Sequence, residues 1–176
     1  DAADPVVVAL SGGVDSAVTM GLLLHQQKQQ SPCKRMVLQE ALHMTNWNMS
    51  DSQDDDDTSQ RQQNSCIEQD WHDAQATGRH FGISVRRHSF EQDYWHHVFM
   101  PYLTAMAMNG TCRNPDVDCN VHIKFGVLRD HVTQRYGART WLATGHYARL
   151  WRSGDEGREA WMAEHCTDDG VEWMRQ

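Results

Sequence analysis

The sequence has 176 residues, a formal net charge of −8 and a hydrophobic content of 39%. This length suits one domain of ordinary size, and no run reaches the roughly 18 apolar residues of a membrane span. The five cysteines form no CxxC pair and no regular spacing, which indicates free thiols in a reducing compartment rather than a disulfide framework. The negative net charge argues against a nucleic-acid partner, and we expect no membrane partner.

The charge is unevenly distributed, which weakens the argument against nucleic acid. Residues 51–73 hold eight acidic side chains and one basic side chain, whereas residues 113–152 hold seven basic and three acidic ones. The segment 50–65 is also polar and of low complexity, so we expect it to be a solvated insertion in a domain that spans 1–150. Residues 151–176 contain the turn-like RSGDEGRE and are expected to begin a further, incomplete region.

Strand and helix patterns alternate along the chain. The predicted strands are 5–10, 35–44, 83–90 and 140–145, and the predicted helices are 15–30, 68–82, 91–108 and 119–136. Pro101 is expected to kink the third helix. The apolar face of the last helix is predicted at Val121, Phe125, Leu128, Val132 and Tyr136. The alternation predicts an α/β fold, a doubly wound and mostly parallel sheet with helices on both faces, which binds ligands at the carboxyl ends of its strands.

The sequence ALSGGVDSAV (9–18) leads from the first predicted strand through two glycines into a helix. Backbone amides, the hydroxyls of Ser11 and Ser16, and the helix N-terminus can converge there on an anion such as a phosphate. The pattern is neither GxxxxGK[ST] nor GxGxxG. A plain strand-to-helix turn, in which the glycines supply only backbone freedom, is the alternative.

The SGGVDS string resembles the signature of the PP-loop ATP pyrophosphatases, which split ATP into AMP and pyrophosphate while adenylating an oxygen. Three further motifs follow in the order found in the tRNA-specific 2-thiouridylases, and they are LHMTNW (42–47), NPDVDCNVHIKFG (114–126) and ATGHYAR (143–149). The resemblance implies a Rossmann-like PP-loop domain whose activity is ATP-dependent 2-thiolation of the wobble uridine of tRNA. The DW at 70–71 and the polar insertion look like the eukaryotic mitochondrial branch, which implies the mitochondrial matrix; a bacterial protein would be cytoplasmic.

The resemblance also assigns roles to single positions. ATP, accompanied by Mg²⁺, would be held by Ala9, Leu10, Ser11, Gly12, Gly13, Val14, Asp15, Ser16, Met44 and Gly145, with His146 beside the nucleotide. Asp15 would contact the pyrophosphate or its metal, and no residue is predicted as a dedicated metal ligand. The target tRNA would meet Asn114, Pro115, Asp116 and Lys124. Cys119 would be the first of two catalytic cysteines, and the implied partners are tRNA and a sulfur donor, either a cysteine desulfurase or a relay protein.

The chemistry explains why these residue types are needed. A uracil oxygen is a poor leaving group, and adenylation turns its departure into the departure of AMP. Carbon 2 then accepts sulfur from an enzyme persulfide, which a second thiol releases by forming a disulfide. Asp116 could act as a general acid or base, and a helix N-terminus at Cys119 would favour its thiolate. For an isolated cysteine, a buried structural role would be the better interpretation.

Two departures from the family pattern limit these expectations. The family's TPNPD reads CRNPD here, with Cys112 and Arg113 in place of threonine and proline; we expect a looser loop and a possible contact from Arg113 to RNA phosphate. The family's second cysteine, which follows a KDQSYFL-like stretch, is not visible in the sequence. The chain therefore resembles the N-terminal catalytic domain of a longer protein, and the alternatives are another PP-loop amidotransferase or ligase, or a non-catalytic remnant that binds ATP or RNA.

Overall fold

The computed structural model describes residues 3–29, 36–47, 58–111 and 113–146, without the side chains of residues 58–65 and 109. These residues all lie within one compact unit, Asp1–His146. Cys33, Cys112 and the region 151–176 lie outside the described residues. The predicted division of the chain into residues 1–150 and 151–176 stays a prediction.

Four parallel strands form one sheet. They are β1 (Asp4–Ala9), β2 (Met36–Thr45), β3 (Val85–Ser89) and β4 (Trp141–Ala143), in the spatial order β3-β2-β1-β4. Strand β1 is central, and its valines 6 to 8 are at most 1% exposed, which is why the strand is apolar without alternation. Val7 packs in one hydrophobic cluster and Val6 and Val8 pack in another, so both faces of the sheet are covered. The predicted α/β fold is confirmed.

Within the described residues, six helices and two π-helical segments pack around the sheet. They are α1 (Val14–Gln29), α2 (Thr58–Phe81), α3 (Glu91–Tyr94), the π segment Trp95–Phe99, α4 (Met100–Asn109), α5 (Pro115–Asp118), the π segment Cys119–Val127 and α6 (Leu128–Tyr136). The segment Trp95–Phe99 continues from α3 into α4 without a break, whereas the segment Cys119–Val127 is kinked at Gly126, whose φ of −97° and ψ of −105° are not helical. None of the helices in the described ranges is long and apolar enough to cross a bilayer.

Helix α2 begins ten residues before its predicted start at 68. The last part of the predicted solvated insertion, 58–65, is helical, although the sequence analysis predicts no helix there. This stretch is rich in glutamine and also holds an arginine, and both residue types favour helix without an apolar stripe. Hydrophobic periodicity, which the prediction relied on, carries no signal in such a stretch.

Pro101 lies in the first turn of α4, directly after the π segment Trp95–Phe99. A proline inside a continuous helix lacks an amide donor and crowds the carbonyl four residues earlier. The wider π turn gives that carbonyl room. The expected irregularity at Pro101 therefore takes the form of a π turn before it.

The predicted apolar face of the last helix is wrong in its first half. The buried residues are Cys119, Ile123, Leu128 and Val132, whose spacings are four, five and four, while Phe125 is 44% exposed. The spacing of five, from Ile123 to Leu128, crosses the end of the π segment Cys119–Val127 and the kink at Gly126. The wider π turn and this kink together shift the buried face by one position. This shift places Cys119 against the sheet.

Candidate functional site

A cavity of about 410 Å³ opens at the carboxyl ends of β1, β2 and β4. Parallel α/β sheets bind ligands at this edge, and the volume lies within the usual range for a small-molecule site. Its walls come from the loop after β1, the end of β2 and the turn after β4, with contributions from α2 and from the π segment Cys119–Val127. Three of the four sequence motifs therefore meet at the cavity, and the fourth contributes Lys124.

The loop after β1 is organised by the buried hydroxyl of Ser16. Its Oγ donates to the carbonyl of Gly13 at 2.9 Å and accepts from the amide of Ser11 at 3.2 Å. The two serine Oγ atoms lie 3.1 Å apart, and Ser11 Oγ also accepts from the amide of Gly13 at 3.3 Å. The loop is therefore held by its own hydroxyls at the N-terminus of α1, where partial positive charge favours an anion.

Two glycines allow close backbone packing around this loop. Gly12 has φ +94°, and a Cβ there would lie 2.5 Å from the backbone oxygen of Asp70 in α2. A Cβ on Gly145 would lie 2.7 Å from the amide nitrogen of Ser16. Neither position can hold a side chain without moving backbone, so the glycines are required by packing as well as by conformation.

Most of the residues predicted to hold ATP line the cavity. Those that do are Ala9, Leu10, Ser11, Gly13, Asp15, Ser16, Met44 and Gly145. Gly12 and Val14 do not, because Gly12 packs on α2 and the Val14 side chain is 76% exposed on α1. Leu10 is 1% exposed and belongs to the core, so its contribution to the cavity comes chiefly from its backbone.

Asp15 is the carboxylate best placed to act beside a bound phosphate. It is exposed, lies in the first turn of α1 and lines the cavity. Across the described part of the chain, no three His, Cys, Asp or Glu side chains are grouped closely enough to hold a metal ion by themselves. Asp15 and Asp70 both line the cavity, so a cation there could be shared between these carboxylates and the phosphates of a ligand.

Lys124 and His146 form the polar side of the cavity. Lys124 Nζ lies 3.3 Å from His146 Nε2, and the same ring nitrogen lies 3.2 Å from Asn120 Oδ1. Burial, followed by the nearby ammonium of Lys124, lowers the pKa of His146. A neutral His146 leaves the lysine as the positive charge at this wall, where it can face an anionic ligand.

The NPD turn lies outside the cavity lining and is built as a helix start. Asn114 caps α5, its Oδ1 accepting from the amide of Asp116 at 3.0 Å, and Pro115 occupies the first turn. Arg113 donates to both carboxylate oxygens of the buried Asp118, at 3.1 and 3.0 Å. The arginine that replaces proline thus ties the turn to the helix, and the expected looser loop stays a prediction.

Cys119 is buried, and the expected thiolate-favouring helix start is wrong. The helix begins at Pro115, which places Cys119 one turn inside it. Burial raises the pKa of the Cys119 thiol, Lys124 acts to lower it and Asp116 acts to raise it. Its Sγ accepts from Asn46 Nδ2 at 3.7 Å, and Asn46 itself lines the cavity at the end of β2. Asn46 thus connects the thiol to the cavity.

Sequence reasoning missed several residues that line the cavity, among them Asn46, His43 and Asp70, and it also missed Tyr94, which packs against the core cluster that contains Cys119. Asn46 and His43 both lie in the LHMTNW motif, from which only Met44 was predicted to act. His43 is buried and its Nδ1 lies 2.9 Å from the carbonyl of Leu10, so Nδ1 donates; burial lowers the pKa of its ring. Burial raises the pKa of Tyr94, and the acidic groups of Cys119 and Asp116 add to this effect. Residues 40 to 43 of β2 are all buried, so a period-two pattern could not have indicated His43, and nothing in the sequence indicated Tyr94.

Comparison with known proteins agrees with this arrangement. The model of the tRNA methyl transferase HUP domain family matches residues 4–169. The mitochondrial tRNA-specific 2-thiouridylase 1 of Saccharomyces cerevisiae is 40% identical over 148 residues, 84% of this chain and 32% of that protein. The protein of the same name from Schizosaccharomyces pombe is 38% identical, and the match covers 83% of this chain and 32% of that protein. The tRNA-specific 2-thiouridylase MnmA of Mycoplasma mobile is 35% identical, and the match covers 88% of this chain and 40% of that protein.

The chain spans about a third of the length of these relatives, or somewhat more for the bacterial one. A family match over most of the sequence and the named relatives together confirm the predicted resemblance. The chain therefore belongs to the tRNA methyl transferase HUP domain family, together with relatives named as tRNA-specific 2-thiouridylases.

Proposed function

We propose that this chain is the nucleotide-activating part of a tRNA 2-thiouridylase. The observation that carries the proposal is the meeting of the SGGVDS loop, Met44 and Gly145 around one cavity, with Cys119 joined to its wall through Asn46. An anion site and a thiol within one pocket region are what activation of an oxygen followed by delivery of sulfur would require.

ATP is the substrate that fits the cavity best. The loop around Ser11 and Ser16 offers amides and hydroxyls at a helix N-terminus. Because Gly12 and Gly145 have no side chain, the backbone of neighbouring elements packs closely against this loop. Mg²⁺ bound with ATP would supply charge neutralisation of the phosphates, and Asp15 is the residue placed to hold it. Lys124, which also lines the cavity, would favour the same anionic ligand.

The uridine step follows from the chemistry of ATP cleavage. The uracil O2 would attack the α-phosphorus, so that an oxygen–phosphorus bond forms, pyrophosphate leaves and N3 gives up its proton. Asp116, exposed in the first turn of α5, is the candidate to accept that proton. Asn114 and Pro115 hold Asp116 in place through the capped turn, whereas Lys124 would contact tRNA from the cavity side.

The sulfur step assigns Cys119 the role of the resolving thiol. A persulfide on a second cysteine would attack carbon 2, expelling AMP with the former O2. The Cys119 thiolate would then attack the Sγ atom of the second cysteine. A disulfide forms between the two cysteines, the bond from that Sγ to the transferred sulfur breaks, and the transferred sulfur stays on carbon 2. Because burial raises its pKa, Cys119 is mainly protonated at neutral pH and reacts only after it loses its proton.

The partners and the location follow from the same proposal. The substrate would be tRNA, and a cysteine desulfurase or relay protein would supply sulfur. The yeast relatives carry mitochondrial in their names, which favours the mitochondrial matrix for this chain, and the bacterial relative keeps the cytoplasm as the alternative. A PP-loop amidotransferase or ligase, and a non-catalytic remnant, are not favoured, because the relatives found by comparison are named as thiouridylases.

The test is sulfur incorporation into unmodified tRNA by the full-length gene product supplied with ATP and a sulfur donor. We expect thiouridine with the wild-type protein, none with Cys119→Ser, and normal product with Cys66→Ser, which changes an exposed free cysteine of α2. Product formation by Cys119→Ser at the wild-type rate would contradict the role of Cys119. Absence of product from the wild type with any tRNA would contradict the proposed function.

A further inference from the structure

Asn46 lines the cavity and also contacts the sulfur of Cys119. Its backbone follows β2 directly, its side chain lines the cavity, and its Nδ2 lies 3.7 Å from Cys119 Sγ. The sequence separation of 73 residues makes this a tertiary contact, formed because the π segment turns Cys119 toward the sheet.

The other end of the same amide is unpartnered. Asn46 Oδ1 is enclosed and has no hydrogen-bond partner among the described residues. A buried carbonyl oxygen left in this state destabilises the fold, so its retention needs a reason. The reason offered by the geometry is that the neighbouring atom is a sulfur that changes between donor and acceptor.

An amide is matched to both forms of a thiol. A thiolate only accepts hydrogen bonds, and the Asn46 NH₂ group as it stands donates to it. A protonated thiol can donate its S–H, and a half turn of the amide would then present Oδ1 to Cys119. A carboxylate at position 46 would serve only the protonated form, and an aliphatic side chain would serve neither.

We propose that Asn46 is a positioning residue that holds the sulfur of Cys119 at the cavity wall in both its thiol and thiolate forms. Its NH₂ group stabilises the thiolate when the proton leaves, and its oxygen receives the S–H when the proton returns. The inference rests on the role proposed for Cys119, although the experiment that tests it uses neither ATP nor tRNA.

The experiment follows the alkylation of Cys119 by iodoacetamide from pH 6.5 to 10, with each cysteine peptide resolved by mass spectrometry. The wild-type chain is compared with Asn46→Leu and Asn46→Asp, and exposed Cys66 in the same digest is the internal reference. We expect Asn46→Leu to slow alkylation at pH 8 about threefold to tenfold, since a hydrogen bond to the thiolate is lost. Asn46→Asp should slow it further, because a carboxylate repels the thiolate.

The sign of the change separates positioning from simple packing. If Asn46 only filled space, its replacement would loosen the core around Cys119, expose the sulfur and make alkylation faster in both variants. Faster alkylation, or profiles that superimpose on the wild type, would overturn the proposal. Slower alkylation in the order wild type, Leu, Asp supports it, and this result stands whether or not the full-length protein thiolates tRNA.

Discussion

The loop after β1 and the region around Cys119, which runs from Arg113 through the helix start at Pro115, are built differently. The loop is held by backbone amides and by two serines, with Gly12 and Gly145 removing side chains where elements close. The Cys119 region is held by side chains, namely the Asn114 cap and the Arg113–Asp118 pair, on a helix widened by a π turn.

This difference explains what each region tolerates. A backbone-built anion site depends on the absence of Cβ atoms, so small changes there should be severe. A side-chain-built thiol site depends on charges and hydrogen bonds that can be adjusted one at a time. Substitutions should therefore destabilise the loop more than they destabilise the helix start, while the helix start should show the larger changes in thiol reactivity.

The largest effect is expected from Gly12→Ala. Its φ of +94° strains any Cβ, and that Cβ would meet the Asp70 carbonyl at 2.5 Å, so the unfolding free energy should fall by about 3 kcal/mol or more. Gly110→Ala is the matched control, because Gly110 has φ +60° with nothing within 4 Å, and it should lose about 1 kcal/mol. Urea unfolding measures both, and equal losses would show that the close packing at Gly12 is unimportant.

Ser16→Ala should have the next largest effect. The change removes a buried hydroxyl that bonds the Ser11 amide and the Gly13 carbonyl, and leaves both groups without it. We expect a loss of about 2 kcal/mol in unfolding free energy. Thr133→Ala, which removes a hydroxyl bonded to a carbonyl within α6, should change stability by no more than about 0.5 kcal/mol. An unfolding free energy of Ser16→Ala equal to that of the wild type would contradict the role of the Ser16 hydroxyl in organising the loop.

Lys124→Met should alter thiol reactivity in the second region. Lys124 acts to lower the pKa of Cys119, so its removal raises that pKa further and reduces the thiolate fraction at a given pH. Alkylation of Cys119 at pH 8 should slow about twofold to fivefold. Arg129→Met, at an exposed position of α6, is the control and should leave the rate unchanged. Equal alkylation rates for the wild type and Lys124→Met would show that Lys124 does not affect the reactivity of Cys119.

The smallest expected effect concerns pH and His43. Burial lowers the pKa of folded His43 below its ordinary 6.5, so the unfolded chain binds the proton more tightly and stability falls as pH drops through 6.5. When the pH falls from 7.5 to 5.5, the unfolding free energy of His43→Asn should decrease by about 0.5–1 kcal/mol less than that of the wild type, as measured by urea unfolding at each pH. His25→Asn, at an exposed position of α1, should follow the wild-type curve. A parallel curve for His43→Asn would contradict this assignment.

The sequence was sufficient for the first region because its signals are local. A strand followed by SGGVDS and a helix needs no distant information, and the conformational demands of its glycines can be read from one motif. Met44 and Gly145 were predicted by resemblance, and the parallel sheet brings the ends of their strands to the same edge. Parallel pairing therefore converts separate motifs into one cavity.

The second region could not be predicted to the same extent. The buried face of the last helix depends on an extra residue in a π turn, and apolar periodicity alone placed Phe125 inside although it is 44% exposed. The Arg113–Asp118 pair and the contact from Asn46 to Cys119 are side-chain contacts that composition does not encode. The raised pKa of Cys119 is a consequence of burial, which depended on the same shift.

The central claim is that the loop region activates and the Cys119 region transfers sulfur. The most direct measurement is pyrophosphate release from ATP by the full-length gene product, with and without unmodified tRNA, for Cys119→Ser and Ser16→Ala. We expect Cys119→Ser to release pyrophosphate in response to tRNA at close to the wild-type rate. For Ser16→Ala, we expect the rate of pyrophosphate release to fall at least about tenfold. Loss of release in Cys119→Ser, or undiminished release in Ser16→Ala, would contradict the division of work between the two regions.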